Sequence, residues 1–444
     1  MTTPRRPHAR LRLAVGLVGV VALLGAAQAW AQVPSPAVSR LRLANGMTVL
    51  VRENPTAPVV AISLGVRMGT RWETRANAGI SNLLQLMVVR GTARLNGSQI
   101  VEAADRMGGS IDAYGDVDFS EIAATALSRH WVEMLELVAD VALRPSLPAG
   151  TVQAVRDFLL RQIRNRGDKP YDVALDTLGA HLFGDNGYAW NPLGLKESVE
   201  RLDREALLVQ YRRHYVPGQM VLAVSGRVKV AEVGAQAERL FGAVPAGPAP
   251  PLAPAPLPPP SSARDVIEVP GAQAQILAGG PAPALTDPDY PAVKVLSAVL
   301  GGGMAGRFFS ELRDKQGLAY TTAMQYPTRI DRGHILAQIG TAPENLEKSE
   351  AALRHELTRI QQEPVSAEDL RVAKAYLLGN LAMDRRTNAR QAWYLASFEA
   401  AGVGYEFLDR HVAQVRQVTA EDVQRVARRY LRTLRTVIAR PPAR

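Results

Sequence analysis

A chain of 444 residues with 47% hydrophobic and 6% aromatic content is long enough for two or more domains with substantial cores, which excludes a disordered or fibrous protein. The formal charge of +10 is mild for this size, and the arginines are scattered among acids, so no basic patch points to nucleic acid. There is no cysteine, which excludes disulfides, thiolate metal sites, a cysteine nucleophile and a lipidated cysteine.

Arg5, Arg6, Arg10 and Arg12 precede an apolar run over residues 13–24, and small residues occur next at Ala27, Ala29 and Ala31. This is the pattern of a secretory signal peptide over residues 1–31, cleaved near Ala29 to Ala31. The run is shorter than the ~20 residues that a bilayer span needs, and no later stretch reaches that length. The mature protein is expected to be periplasmic or secreted, with no membrane segment after signal removal. Cleavage takes away four arginines and no acid, so the charge falls from +10 to +6.

Past the leader, residues 41–43 and 47–51 flank Asn45-Gly46 as a hairpin, and residues 59–66 read as a third strand. Residues 79–92 form a helix, with Ile80, Leu83, Leu84, Met87 and Val88 on one apolar face. Ser98 is expected to cap a short helix stopped by Gly108 and Gly109, and residues 110–126 alternate as two strands around Gly115. Ser128 should cap a helix with Trp131, Leu135, Val138 and Ala142 on one face, ending before Pro145. A further helix over residues 151–166 carries Gln162; another leads through Asp203 to Tyr215, and residues 220–224 make a strand closed by Gly226.

Residues 245–262 read PAGPAPPLAPAPLPPPSS, too rich in proline for helix or sheet and best described as an extended linker. The second half of the chain repeats the order of the first. Strands near residues 265–268 and 275–277 are succeeded by a helix through residues 293–300, then more strands up to Gly340. An amphipathic helix with Leu346, Leu353, Leu357 and Ile360 stops before Pro364, as its counterpart stops before Pro145. Ser366 with Asp369 and Thr419 with Asp422 form capping boxes, and residues 436–439 close the chain as a strand. Two copies of one α+β unit explain the pattern better than two unrelated domains.

Two stretches carry the chemistry. Beside the apolar face of the helix over residues 79–92 lie Asn82, Gln85 and Leu86. Two histidines and a glutamate at these spacings would present zinc ligands and a base; amides and an alkyl group do not compete for zinc in water. The second stretch is GGGMAGRFFSELRDKQGLAY, residues 301–320. It reads as a glycine-rich turn opening a helix that sends Phe308, Phe309 and Leu312 into the core. No Lys-Ser or Lys-Thr comes after the glycines, which excludes a phosphate loop. Arg313 can pair with Asp314 or Glu311 on a solvated helix face, and Tyr320 then starts a strand. The seven histidines lack ligand spacing and read as surface or packing residues. Arg425, Arg428, Arg429 and Arg432 read as a solvated face.

Arg67, Gly69, Glu73, residues 79–84 and Gly91-Thr92 together resemble the active-site region of the pitrilysin/insulinase peptidases, in the branch of the mitochondrial processing peptidase. The resemblance implies an α+β fold of two homologous pitrilysin-type (LuxS/metallopeptidase-like) α/β sandwich domains, at residues 38–244 and 265–441, joined by a Pro-rich linker at residues 245–264. It places the family's inverted His-x-x-Glu-His motif on Asn82, Gln85 and Leu86, and its third ligand, a glutamate, on Gln162. It also places an arginine and a tyrosine that bind substrate across the chamber on Arg313 and Tyr320, and gives the strand over residues 109–114 as an edge to which peptide adds. A guanidinium suits a peptide carbonyl and a phenol suits a developing oxyanion. The resemblance thus implies no cofactor in this chain, with zinc in a partner. The chain is expected to be the non-zinc subunit of an exported two-chain metallopeptidase, partnered by a zinc-bearing paralogous subunit and a peptide substrate. The alternative is a catalytically inactive structural or peptide-binding homologue.

Overall fold

The computed structural model describes residues 37–250, 252 and 256–442; the leader read over residues 1–31 lies outside them. Its first sheet is organised around β3 (Val59–Val66), buried from Val60 to its end. That is the fate of an uncharged aliphatic run covered on both faces. β6 (Met220–Gly226) and β5 (Ser120–Leu127) flank β3, both antiparallel to it. β2 (Thr48–Glu53) pairs parallel with β6, β1 (Val38–Arg42) pairs with β2, and β4 (Ser110–Gly115) pairs with β5. The order is β1-β2-β6-β3-β5-β4, which leaves β4 as a free edge among the described residues.

The second sheet contains β7 (Arg264–Glu268), β8 (Ala274–Ala282), β9 (Thr321–Gln325), β10 (Gly333–Thr341) and β11 (Arg435–Arg440), in the order β7-β11-β8-β10-β9. Its single parallel pair joins β7 to β11, as β2 joins β6 in the first sheet. The second sheet is therefore the first without β1, and the chain is two copies of one α+β unit.

In the first half, α1 (Ile80–Val88) and α2 (Gly97–Arg106) lie between β3 and β4. After β5 come α3 (Trp131–Leu143), α4 (Ala149–Gly167), α5 (Pro170–Phe183), α6 (Lys196–Val199) and α7 (Arg204–His214), and α8 (Val230–Phe241) comes after β6. In the second half α9 (Tyr290–Gly301) takes the place of α1. Between β10 and β11 run α10 (Leu346–Gln362), α11 (Ala367–Asp384), α12 (Asn388–Ala400), α13 (Phe407–Gln417) and α14 (Ala420–Tyr430).

Each sheet has its own large core on one face. On the opposite face the halves exchange helices. α12, from the second half, brings Ala392, Leu395, Ala396 and Ala400 against Leu50, Ala61, Val221 and Ala223 of the first sheet. In return α5, from the first half, brings Ala174, Leu178, Leu182 and Phe183 against Leu277, Leu336, Val437 and Ala439 of the second. Polar contacts reinforce the exchange: Arg71 forks onto Asp331 (2.5 and 2.9 Å), and Arg67 Nε donates to the carbonyl of Ala400 (2.7 Å).

Several local expectations need correction. Asn96, not Ser98, caps α2, in a reciprocal box with Gln99. Ser128 makes no cap bond; a 3₁₀ turn over Ser128–His130 leads into α3. At α11 Ser366 does accept from the N–H of Asp369, but the Asp369 carboxylate meets Arg307 at 3.1 Å instead of closing the box. Phe309 is only half-buried and lies outside the second core, with the Arg313 guanidinium over its ring at 5.0 Å. Arg425 and Arg429 are not simply solvated. They meet buried Asp289 at 2.6 and 3.0 Å, where Tyr430 also donates.

Candidate functional site

The N-terminus of α1 is held from outside the helix. Gly79, at φ +95°, has no side chain to cap it, and Glu73 does so instead. Its Oε2 accepts from the N–H of Gly79 (2.8 Å) and from Trp190 Nε1 (3.1 Å), and its Oε1 from the N–H of Ser81 (2.9 Å). Burial raises the Glu73 carboxyl above its ordinary pKa, and these donors pull it back down.

The positions that the family resemblance assigns to zinc chemistry divide into two environments. Gln85 is fully buried, not on an accessible face. Its Nε2 donates to the carbonyl of Glu121 at 2.9 Å, and its Oε1 accepts from the Tyr215 hydroxyl. Asn82 and Leu86 are half-buried. Leu86 faces α4 across a groove of about 340 Å³ that also contains Val155 and Phe158. Gln162, four residues beyond Phe158 on α4, is also half-buried. Asn82 sits hard against the edge strand: a Cβ on Gly115 would lie 2.8 Å from its Cα, so β4 ends in glycine where α1 crosses it.

This donor set does not fit zinc. Two amides, a leucine and a glutamine already bonded on both sides offer no imidazole, thiolate or carboxylate. Among the described residues no group of three or more His, Asp or Glu is arranged to hold a metal ion. Gln85→Glu tests how firmly the amide is built in. A carboxylate cannot donate to the Glu121 carbonyl, so the substitution is expected to lower stability by about 2–3 kcal/mol. A denaturant midpoint equal to that of the parent chain would contradict this.

Arg313 and Tyr320 belong to the other half. A turn at Gly303, with φ +66°, leads into a π-helical segment, Phe308–Lys315, that buries Phe308 and Leu312 in the second core. Such segments are rare and concentrate at functional sites. Arg313 is exposed and makes no ion pair among the described residues; Glu311 bonds Lys315 at 2.9 Å instead. Tyr320 is 55% exposed, and its N–H donates to the carbonyl of Gly340 (2.8 Å), extending the β9–β10 ladder by one residue. The two side chains thus stand exposed on the second half, while Asn82, Gln85, Leu86 and Gln162 lie on the first. β4 offers its unpaired edge next to Asn82, with Asp112 and Tyr114 exposed on it.

His214, on α7 behind α1, gives this region a pH limit. Its Nδ1 donates to the carbonyl of Arg67 at 2.8 Å, while Nε2 is buried without a partner among the described residues. Burial lowers its pKa from 6.5 to about 4. Between those values the unfolded chain binds a proton that the folded chain refuses, so the contribution of His214 is full above pH 6.5 and is lost as pH falls towards 4. At pH 5 that loss is about 2 kcal/mol. His214→Leu should reduce the drop in unfolding free energy between about pH 7 and pH 5 by this amount; an unchanged drop would contradict the assignment.

Two sheets of one topology, with helices exchanged between them, make a two-domain scaffold. Its architecture is that of a protease from Helicobacter pylori (TM-score 0.85, 20% identity, covering 91% of this chain and 100% of that one). It is also that of a peptidase M16 inactive domain from Pseudomonas fluorescens (TM-score 0.85, 23% identity, covering 91% and 98%). The family model "Insulinase (Peptidase family M16)" matches residues 48–193 and "Peptidase M16 inactive domain" matches residues 201–377. The chain belongs to the M16, or insulinase, peptidase family. Similar proteins include an uncharacterized zinc protease of Rickettsia felis, 26% identical over 396 residues (89% of this chain, 95% of the relative). Another, from Streptomyces coelicolor, is 27% identical over 397 residues (88% and 86%).

Proposed function

We propose that this chain is the non-zinc subunit of an exported two-chain M16-type metallopeptidase, presenting Arg313 and Tyr320 to a peptide held against a zinc-bearing paralogous subunit. One contrast carries the reading: Asn82, Gln85, Leu86 and Gln162 include no metal-binding group, whereas Arg313 and Tyr320 stand exposed. Arg313 has no carboxylate partner among the described residues, so its guanidinium is available to a peptide carbonyl. Tyr320 can donate its phenol proton to an oxyanion. The free edge of β4 supports a role in holding extended peptide, since an unpaired strand accepts another by backbone hydrogen bonding. Zinc and the glutamate base belong, in this reading, to the partner.

The test is reconstitution. The mature chain is mixed with a zinc-bearing paralogue and peptide cleavage is measured. Arg313→Ala and Tyr320→Phe are each expected to lower kcat by about 10²-fold, in the range seen when one oxyanion donor is removed, with subunit association unchanged. If both variants support the parent rate, the role in trans is wrong. If the parent chain does not stimulate cleavage at all, the alternative of an inactive peptide-binding homologue replaces it.

A further inference from the structure

Where the two halves meet beside β4, a cleft of about 470 Å³ opens, within the size range of small-molecule sites. Its walls include Tyr114 and Phe119 from the first half and Trp393, Tyr394 and Phe398 from the second. Glu121 also lines it, although only 7% of that residue is exposed. Glu121 lies opposite Tyr114 in the β4–β5 register. Its Oε1 accepts from the Ser63 hydroxyl at 2.5 Å, and its Oε2 takes no hydrogen bond from the described residues.

The other charges around the cleft are already engaged. Arg390 forks onto Asp384 through Nε (3.1 Å) and Nη2 (2.7 Å), its guanidinium lies 4.2 Å from the centre of the Trp393 ring, and its charge reaches Glu121 without a hydrogen bond to it. Arg329 donates to the carbonyl of Thr328 (3.2 Å) and lies over Tyr188. Asp118 accepts from the Tyr188 hydroxyl (2.6 Å) and the N–H of Ile330 (3.1 Å). Asp116 is exposed at the rim. Glu121 is thus a nearly buried carboxyl with one idle oxygen, set among aromatic rings in an accessible cleft.

We infer that this cleft binds an organic cation, an ammonium or guanidinium on an apolar stem, with Glu121 as its counter-ion. Burial holds the Glu121 carboxyl above its ordinary pKa, so a cation that both pairs and hydrogen-bonds with it favours the ionised form, and aromatic walls favour the same charge and take up the stem. The cation can be a free amine or guanidine, or it can arrive on a peptide. A strand added outside β4 would lie about two strand spacings, ~10 Å, from Glu121, so only a long basic side chain lying across Tyr114 would reach it. The inference does not depend on a zinc-bearing partner, because it is measured on this chain alone.

The experiment is calorimetric titration of the full mature chain with butylguanidinium and with butylurea, its neutral isostere. Butylguanidinium is expected to bind at least tenfold more tightly, and Glu121→Gln to abolish the difference. Discrimination by the parent chain needs no variant, so the result stands whether or not Glu121→Gln folds. A second pair of ligands, an extended capped peptide with one central arginine and the same peptide with citrulline, identifies the source. Tighter binding of the arginine peptide than of butylguanidinium means that the cation is carried by a peptide; weaker or equal binding means that it is a free small molecule. Equal affinity for butylguanidinium and butylurea, or no binding of either at millimolar concentration, would overturn the proposal.

Discussion

Cut at the proline-rich stretch and expressed separately, neither half of this chain is expected to fold; expressed together, the two are expected to regain the native assembly. The reason is the helix exchange. Without α12 the first sheet exposes Leu50, Ala61, Val221 and Ala223, all buried in the intact chain. Without α5 the second exposes Leu277, Leu336, Val437 and Ala439. Each large aliphatic side chain returned to water costs about 1.5–3 kcal/mol, and the orphaned helix loses its own apolar face as well. A few such losses match the whole stability of a typical domain, about 5–15 kcal/mol. Linker cleavage in the folded protein should do little, since residues 245–250 and 256–263 form no helix or strand. The measurement is circular dichroism and sedimentation of each half alone and of the co-expressed pair. A first half that is monomeric, cooperatively folding and soluble by itself would refute this account of the interface.

Glu73→Ala is expected to be the most damaging single substitution near α1. It leaves the N–H groups of Gly79 and Ser81 and the indole N–H of Trp190 without their acceptor in a site where Glu73 itself is 6% exposed. A buried donor without a partner costs about 1–3 kcal/mol. With partial relaxation, the three together should lower unfolding free energy by about 3–5 kcal/mol, several times the effect of losing an ordinary N-cap. Glu73→Gln keeps one acceptor oxygen and should recover part of the loss. The check is chemical denaturation of the three proteins side by side; a Glu73→Ala midpoint close to the parent value would mean that α1 does not depend on this cap.

Much of the fold could be read from residue pattern. Strands β3, β4 and β5 were legible because each alternates or runs aliphatic between turn residues, and the repeat was legible because both halves keep the same order of elements. The exchanged helices were not. α5 and α12 each lie between another half's sheet and their own surroundings, so they lack the one-sided apolar stripe of a surface helix. α12 also makes much of its contact through Ala392, Ala396 and Ala400, whose size gives no signal in sequence. The site divides in the same way. That Asn82, Gln85, Leu86 and Gln162 make a poor zinc site is evident from side-chain chemistry alone. That Gln85 is bonded on both sides depends on Tyr215, 130 residues away. The ties of Arg425 and Arg429 to Asp289 span 136 and 140 residues, and no periodicity encodes them. The cleft at Glu121 was invisible for the same reason, being assembled from β4, β5, the β9–β10 loop and α12.

The reciprocal clasp of α5 and α12 also limits how the molecule can move. Swinging one half away from the other would strip two aliphatic surfaces at once, so the pair behaves as a single stiff jaw rather than a hinge. In the proposed two-chain peptidase, a mouth wide enough to admit a polypeptide would therefore open at the joint between subunits rather than at the proline-rich tether.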